Sequence, residues 1–250
     1  MSRSRTVSVC MATYNGSRFV AEQLSSILDQ LGPNDEVVVV DDASTDSTID
    51  VIEGMRDPRI VIHRNDRNRG YVRSFARAIE LSTADVIVLS DQDDIWVEGR
   101  LDALVTATEA HDVVASNLKL LDSEQPLRSP LTGRPWLLSP DDDGRRLRNE
   151  LRILAGDAPY FGCAMALRRD ALALVMPFPD YLRESHDLWI ATAANAAGRL
   201  GHLAQTTVLR RVHDDNASTS RPRGLTAALR SRALLIRLWR EARRRVRRLS

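Results

Sequence analysis

A chain of 250 residues, 43% hydrophobic and 28% charged, excludes global disorder and is long enough for one sizeable α/β core. Its formal net charge of +1 gives no reason to expect a nucleic-acid partner, and none is expected. No run approaches the roughly 18 apolar residues that a bilayer-crossing helix needs. Residues 1–5 lead into a short Val-rich run unlike the apolar core of a signal peptide, and Cys10 and Cys163 lack a metal-type spacing. Both cysteines read as buried reduced thiols, which suits a cytoplasmic protein.

Residues 6–12 read as a first strand, with Thr13-Tyr14-Asn15-Gly16 as the turn after it. From an N-cap at Ser17, Phe19, Val20, Leu24, Ile27, Leu28 and Leu31 recur at helical spacing until Gly32-Pro33 breaks the pattern. Val37-Val38-Val39-Val40 is an unbroken β-branched run, as expected of a central parallel strand covered on both faces. It ends in the polar elbow Asp41-Asp42-Ala43-Ser44-Thr45-Asp46, ahead of a helix through Ile49, Ile52 and Met55. A third strand is predicted at 59–63. A polar loop at 64–69 and Gly70 then open a helix carrying Val72, Phe75, Ala76, Ile79 and Leu81.

The fourth strand, 85–89, runs into Ser90-Asp91-Gln92-Asp93-Asp94-Ile95-Trp96; a helix over 97–110 and a strand over 112–120 follow. Four strand–helix alternations predict right-handed βαβ units and a mainly parallel sheet flanked by helices. Ligands of such sheets bind beyond the carboxyl ends of the strands, and the elbows at 13–15, 41–42 and 91–93 share that rim. In the second half, 123–144 is Pro- and Asp-rich and reads as a mobile loop with a solvated Asp141-Asp142-Asp143 run. Residues 147–154 look helical, and 160–167 read as a strand or packed loop. Ser185-His186-Asp187-Leu188-Trp189 opens a helix ending near Gly198, and two short strands are expected at 200–204 and 206–213.

The acidic elbow carries the sharpest chemical expectation. In extended backbone Asp91 and Asp93 project to the same side, roughly 7 Å apart. At an effective dielectric of about 20, two such charges repel by roughly 2–3 kcal/mol. A divalent cation would turn that cost into binding, because Mg²⁺ favours one or two carboxylates together with phosphate oxygens. A turn that merely caps the next helix is the competing use of such residues. Three polar elbows on one rim favour the site.

The motifs in order resemble those of inverting family 2 glycosyltransferases: residues 7–15, Gln30, Val39-Val40-Asp41-Asp42-Ala43-Ser44-Thr45-Asp46, Asn68-Arg69-Gly70 and Leu89-Ser90-Asp91-Gln92-Asp93-Asp94-Ile95-Trp96. The resemblance covers about 7–216. The Asp-Gln-Asp-Asp-Ile-Trp form, with His186-Asp187-Leu188-Trp189 and Arg211-Val212-His213, is similar to the bacterial rhamnosyltransferase-like branch. The resemblance implies a GT-A fold, Rossmann-like, in a single domain over 1–220. Its nucleotide-sugar half would span about 1–120 and its acceptor half about 121–220.

On the same resemblance, Ala12, Thr13 and Tyr14 would border base and ribose, and Asp41 or Asp42 would accept a hydrogen bond from the pyrimidine or its sugar. Asn68, Gly70, Asp91 and Gln92 would complete the nucleotide site, although Gly70 could equally be a backbone-driven helix start. Asp93, with Asp91 and His213, would hold Mg²⁺ or Mn²⁺ against the donor diphosphate. Asp94 and Trp96 would cap and pack, and Trp189 would pack. Asp187 is the candidate base, with helix capping as its bland alternative. Family members usually carry Glu-Asp where this chain has His186-Asp187, so His186 could tune Asp187 or be the base itself.

The expected activity is metal-dependent inverting transfer from a nucleotide-diphosphate sugar, either dTDP-rhamnose or a UDP-sugar. The acceptor would be a glycan or polyprenyl-linked saccharide in cell-envelope polysaccharide synthesis. Two rivals stay open: a non-catalytic nucleotide-sugar-binding protein, and a phosphohydrolase using the Asp91/Asp93 pair. The second needs a downstream lysine, and Lys119 in an apolar run is the chain's one lysine. Finally, residues 221–250 form a basic amphipathic tail, with Leu235, Leu238, Trp239, Ala242, Val246 and Leu249 on one face and arginines on the other. It is a candidate for peripheral attachment to the inner face of the cell membrane, or for docking on protein.

Overall fold

The computed structural model describes residues 5–213 and 225–249. Valine runs and turn residues build a repeating strand–helix chain: β1 (Val7–Thr13), α1 (Val20–Leu28), β2 (Glu36–Asp41), α2 (Thr48–Gly54), β3 (Ile60–Arg64), α3 (Tyr71–Leu81) and β4 (Val86–Ser90). β3, β2, β1 and β4 lie side by side and parallel, with Val9 opposite both Val37 and Val88. Because side chains alternate along a strand, Val7, Val9 and Met11 enter the core beneath α1 while Cys10 enters the opposite core beneath α3. Both faces are therefore covered, as the unbroken Val37–Val40 run requires.

The second half departs from simple alternation. β5 (Ile95–Trp96), α4 (Arg100–Ala107) and β6 (Val113–Leu120) are followed by α5 (Arg146–Ala155), β7 (Met165–Arg168), α6 (Leu172–Val175), α7 (His186–Ala197), β8 (Leu200–Arg210) and α8 (Leu225–Leu249). β7 inserts between β4 and β6, antiparallel to both, giving the sheet order β3-β2-β1-β4-β7-β6-β8-β5. The sheet is mixed but mostly parallel, as expected. Two strands were expected at 200–204 and 206–213. One long β8 runs there instead, and extra residues of β8 between Leu203 and Val208, opposite Ser116 to Leu118 of β6, bulge out and absorb the register change. β5 was not foreseen. It pairs Ile95 and Trp96 with Leu209 and Val208, tying the acidic elbow to the end of β8.

Residues 123–139 hold no helix or strand, as expected of a loop, but the expectation of a solvated acidic run at 141–143 is overturned. Asp142 is 4% exposed and bridges Arg148 and Arg152, one helical turn apart on α5, with Arg152 at 2.8 Å. Asp143 accepts from the His202 amide at 3.0 Å and faces His111 at 3.3 Å. Asp141 alone of the three is exposed. The run is partnered by two arginines of the following helix and by two histidines distant in sequence.

α8 lays its apolar face on the domain: Leu235, Leu238 and Ala242 are buried in the core formed with α5, α6 and α7, and Val246 packs at its margin. Arg237, Arg240, Arg243, Arg244, Arg247 and Arg248 face outward as the pattern predicts, while Leu249 is exposed. The boundary expected at 220/221 lies outside the described residues. No helix among the described residues is long and apolar enough to cross a membrane.

Candidate functional site

A cavity of about 390 Å³ lies at the carboxyl ends of β1, β2 and β4 and is walled also by the segment entering α7. Ala12, Thr13, Tyr14, Asp42, Asn68, Gly70, Asp91, Gln92, Asp93 and Asp187 all line it. Residues from five separated stretches thus meet in one space, because each follows the end of a neighbouring strand or the start of a packed helix.

The two acids of the second elbow have different roles. Asp41 is fully buried and accepts from Thr13 Oγ1 at 3.1 Å and the Ser44 amide at 2.9 Å, so it fixes the elbow and does not line the cavity. Asp42 faces the cavity, and its carboxylate accepts from Asn65 Nδ2 at 2.7 Å and from the Arg69 and Gly70 amides at 2.8 Å each. It therefore organises the loop that carries Asn68. Gly70 has φ +84° with open space where a Cβ would point, so the backbone turn demands glycine there. Gln92 spends its amide on the first elbow: Oε1 accepts from the Tyr14 amide at 2.9 Å and Nε2 donates to the Tyr14 carbonyl at 3.1 Å.

Among the described residues, five carboxylates, from Asp42, Asp91, Asp93, Glu184 and Asp187, share the lining with one guanidinium, that of Arg210. Burial, then the charges of Asp94 and Asp93, push the Asp91 carboxyl well above the usual range. Asp94, buried behind it, is raised to about 6 by burial and the Asp93 charge, and accepts from the Arg211 amide at 3.0 Å. Ligand atoms of Asp91, Asp94 and Cys163 lie within 4.8 Å of one another. Burial and the same carboxylates raise the Cys163 thiol, so it stays protonated and offers no thiolate. The available donors are thus hard carboxylate oxygens, with His213 Nε2 standing 2.7 Å from Asp93 Oδ2. That set fits Mg²⁺ or Mn²⁺ rather than a thiophilic metal.

His186 and Asp187 are the first two residues of α7. Burial raises the Asp187 carboxyl to about 6, partly offset by the amides of Leu188, at 2.7 Å, and Gly162. Burial lowers His186 to about 4, so its imidazole is neutral near pH 7 and the weaker base of the two. Trp189 is fully buried and donates to the Val175 carbonyl at 2.9 Å, as expected of a packing residue.

Three features escaped the sequence. Arg210, one residue before the motif Arg211-Val212-His213, reaches the cavity with its guanidinium carbon 5.3 Å from the Phe161 ring centroid. Tyr71, Phe75 and Phe161 supply aromatic walls. Arg100 is fully buried behind the acidic elbow and donates to the Cys163 carbonyl and Thr207 Oγ1, each at 2.6 Å. Burial lowers its pKa to about 10, so it remains a cation facing Asp91 and Asp94. A lone arginine at a helix start gives no local sign of that role.

The family profile described as "Glycosyl transferase family 2" matches residues 8–174. The putative glycosyltransferase EpsE of Bacillus subtilis is 33% identical over 200 residues, covering 76% of this chain and 67% of the relative. The Escherichia coli UDP-Glc:alpha-D-GlcNAc-diphosphoundecaprenol beta-1,3-glucosyltransferase WfaP is 30% identical over 110 residues, 44% of each chain. Crystalline S. aureus TarS 1-349 in complex with UDP-GlcNAc superposes with a TM-score of 0.66 at 21% identity, covering 92% of this chain and 66% of that one. The chain spans about two thirds or less of the length of each. The shared architecture is the GT-A fold that the motifs imply.

Proposed function

The chain belongs to glycosyl transferase family 2, and on that premise we propose that it transfers a sugar, with inversion, from a nucleotide-diphosphate sugar to a saccharide acceptor. The observation that carries this reading is the charge of the cavity: among the described residues, five carboxylates against one guanidinium would repel a nucleoside diphosphate unless a cation bound with it. Mg²⁺ or Mn²⁺ held by Asp93 and Asp91, with His213 beside them, would neutralise the departing diphosphate. Arg210 adds a fixed positive charge at the same place, matched to charge that grows as the glycosidic bond breaks.

Asp187 accepts the proton of the acceptor hydroxyl while that oxygen attacks the anomeric carbon from the face opposite the leaving group. The nucleoside diphosphate departs with the bonding pair, and the new glycosidic bond has inverted configuration. The Tyr14 backbone, pinned by Gln92, and the Asn68 loop, pinned by Asp42, shape the nucleoside end. UDP-sugars are supported as donors by the names of WfaP and TarS. dTDP-rhamnose is supported by the Asp-Gln-Asp-Asp-Ile-Trp and His-Asp-Leu-Trp motifs. The acceptor class is a glycan or polyprenyl-linked saccharide of the cell envelope, in line with the diphosphoundecaprenol acceptor in the name of WfaP. The exposed arginines of α8 would favour peripheral attachment to the inner face of the cell membrane.

The test is a thermal-shift screen of UDP- and dTDP-sugars with and without Mn²⁺, followed by transfer from the stabilising donor to octyl glycosides. Stabilisation that needs both donor and metal is expected. Donor binding with neither hydrolysis nor transfer would favour a nucleotide-sugar-binding protein. Phosphate release from simple phosphoesters would favour a phosphohydrolase, although Lys119 lies on β6 outside the cavity lining.

A further inference from the structure

A second groove, of about 850 Å³, opens beside the cavity and shares Asn68 with it. One side of it is α3, where Arg73, Arg77 and Glu80 recur at one-turn spacing. Arg67 and Arg69 come from the loop before α3, and Arg183 from the segment that leads into α7. Among the described residues, five guanidiniums thus line the groove with one carboxylate, that of Glu80. Like charges gathered in one place repel, and an anionic occupant turns that cost into binding.

Two further acids answer part of the charge. Asp66 pairs with Arg69 at 2.7 Å, and the exposed Asp180 carboxylate lies 3.6 Å from Arg73. Arg77 has neutral partners, donating to the Arg64 carbonyl at 2.9 Å and to Asn65 Oδ1 at 2.6 Å. Arg67 and Arg183 make no ion pair among the described residues. The spare positive charge exceeds what a single carboxylate would answer. Guanidinium forks match paired phosphate oxygens, so a diphosphate is the better fit.

The groove is tied to the chemistry by the chain itself. Asp42, which accepts from the Arg69 and Gly70 amides, sets the loop that presents Arg67. The Ser185 amide donates to the Tyr71 hydroxyl at 2.9 Å and holds the segment entering α7 against α3. Glu184, Ser185 and Asp187 line the cavity, whereas Arg183 lines the groove. Arg183 and Asp187 are four positions apart, a backbone reach of at most about 14 Å. A short saccharide ending in a diphosphate spans such a distance. None of Asp91, Asp93 and Arg210 lines the groove, so the donor diphosphate has its own place.

We propose that the arginine groove binds the diphosphate of a lipid-linked acceptor and so places a hydroxyl of its saccharide at Asp187. This rests on the reading of the cavity as a glycosyltransferase site with Asp187 as base. The donor diphosphate needs a cation among carboxylates, while the acceptor diphosphate is met by arginines without metal. Two groups of similar chemistry are thereby kept apart.

The experiment compares the full chain with the double variant Arg67→Gln/Arg183→Gln, both positions being exposed. Metal-free protein in EDTA is first titrated with inorganic pyrophosphate by calorimetry. Wild type is expected to bind it, less tightly as salt rises, and the double variant at least about tenfold more weakly. Transfer with Mn²⁺ is then measured to an octyl glycoside and to the same sugar joined to octyl through a diphosphate. Wild type should show a KM at least about tenfold lower for the diphosphate acceptor. The double variant should lose that preference while UDP binding and transfer to the octyl glycoside stay within about twofold of wild type. Equal KM values for the two acceptors in wild type overturn the proposal alone, as does a double variant that keeps the preference. Flotation with phosphatidylglycerol vesicles that is lost in the double variant, with the acceptor preference intact, assigns the arginines to a membrane surface instead. A wild-type chain that binds pyrophosphate without metal yet transfers to neither acceptor overturns the glycosyltransferase reading, and the acceptor role of the groove with it.

Discussion

His213 Nε2 stands 2.7 Å from Asp93 Oδ2 across 120 residues of chain, closing the end of β8 over the acidic elbow. Arg211, two residues earlier, reinforces the closure by donating from Nε to the Asp93 carbonyl at 3.1 Å and pairing with Glu22 at 2.6 Å. Asp93→Ala is expected to abolish the Mn²⁺-dependent part of UDP binding, and His213→Ala to weaken it by about 10–100-fold. Titration calorimetry with Mn²⁺ and with EDTA reads both. Undiminished metal-dependent binding by Asp93→Ala would remove the assignment.

Asp187 must be ionised to accept a proton, and burial places its titration at about 6. The kcat/KM for transfer should therefore be flat above about pH 7 and fall toward tenfold per unit below pH 6. Asp187→Asn should keep UDP binding and lose at least about a thousandfold in kcat. Near-normal transfer by that variant would place the base elsewhere.

Arg210 is the one guanidinium lining the cavity among the described residues. Arg210→Ala should lower kcat about 100-fold with a smaller change in donor KM, because the charge it balances grows toward the transition state. Arg210→Lys should recover part of the loss. A change confined to donor KM would make Arg210 a ground-state binding residue only.

Glu150 on α5 is 5% exposed; its Oε2 meets Asn195 at 3.4 Å, and burial raises its pKa from 4.5 to about 7. A raised carboxyl binds its proton more tightly in the folded state. Its contribution to stability is thus whole below pH 4.5 and is lost as pH rises through 7. Glu150→Gln should be more stable than wild type by about 1–3 kcal/mol at pH 8 and equal to it at pH 4. Urea unfolding at the two pH values measures the difference, and an equal gain at both would trace it to something other than titration.

Because Leu235, Leu238 and Ala242 of α8 are core residues, removing the tail tests folding as well as membrane binding. Arg240→Glu with Arg243→Glu and Arg247→Glu leaves the packed face intact. Flotation with vesicles containing phosphatidylglycerol should be lost in this triple variant and kept by wild type, at about 1 kcal/mol per arginine near the surface. Equal flotation of the two would exclude the exposed arginine face as the attachment.

Much of this protein follows from local sequence. Val37–Val40 had to be a central strand because nothing else buries four consecutive β-branched residues on two faces. The elbows at Thr13, Asp42 and Asp91 had to share a rim because parallel strands joined by helices end on one side. Local pattern could not say which carboxylate was already in use. Asp41 is consumed by Thr13 and Ser44, Asp142 by Arg148 and Arg152, and the Gln92 amide by Tyr14. Thr13 and Tyr14 are brought to their partners by strand pairing, and Arg148 and Arg152 to Asp142 by the way α5 folds back on the turn before it. The antiparallel insertion of β7, the reach of Arg210 into the cavity and the burial of α8 likewise depend on contacts between residues far apart in the chain. Periodicity and turn residues determine where elements begin, end and face. Which polar groups remain free for chemistry is decided by packing, since a group is available only when the fold leaves its hydrogen bonds unmade.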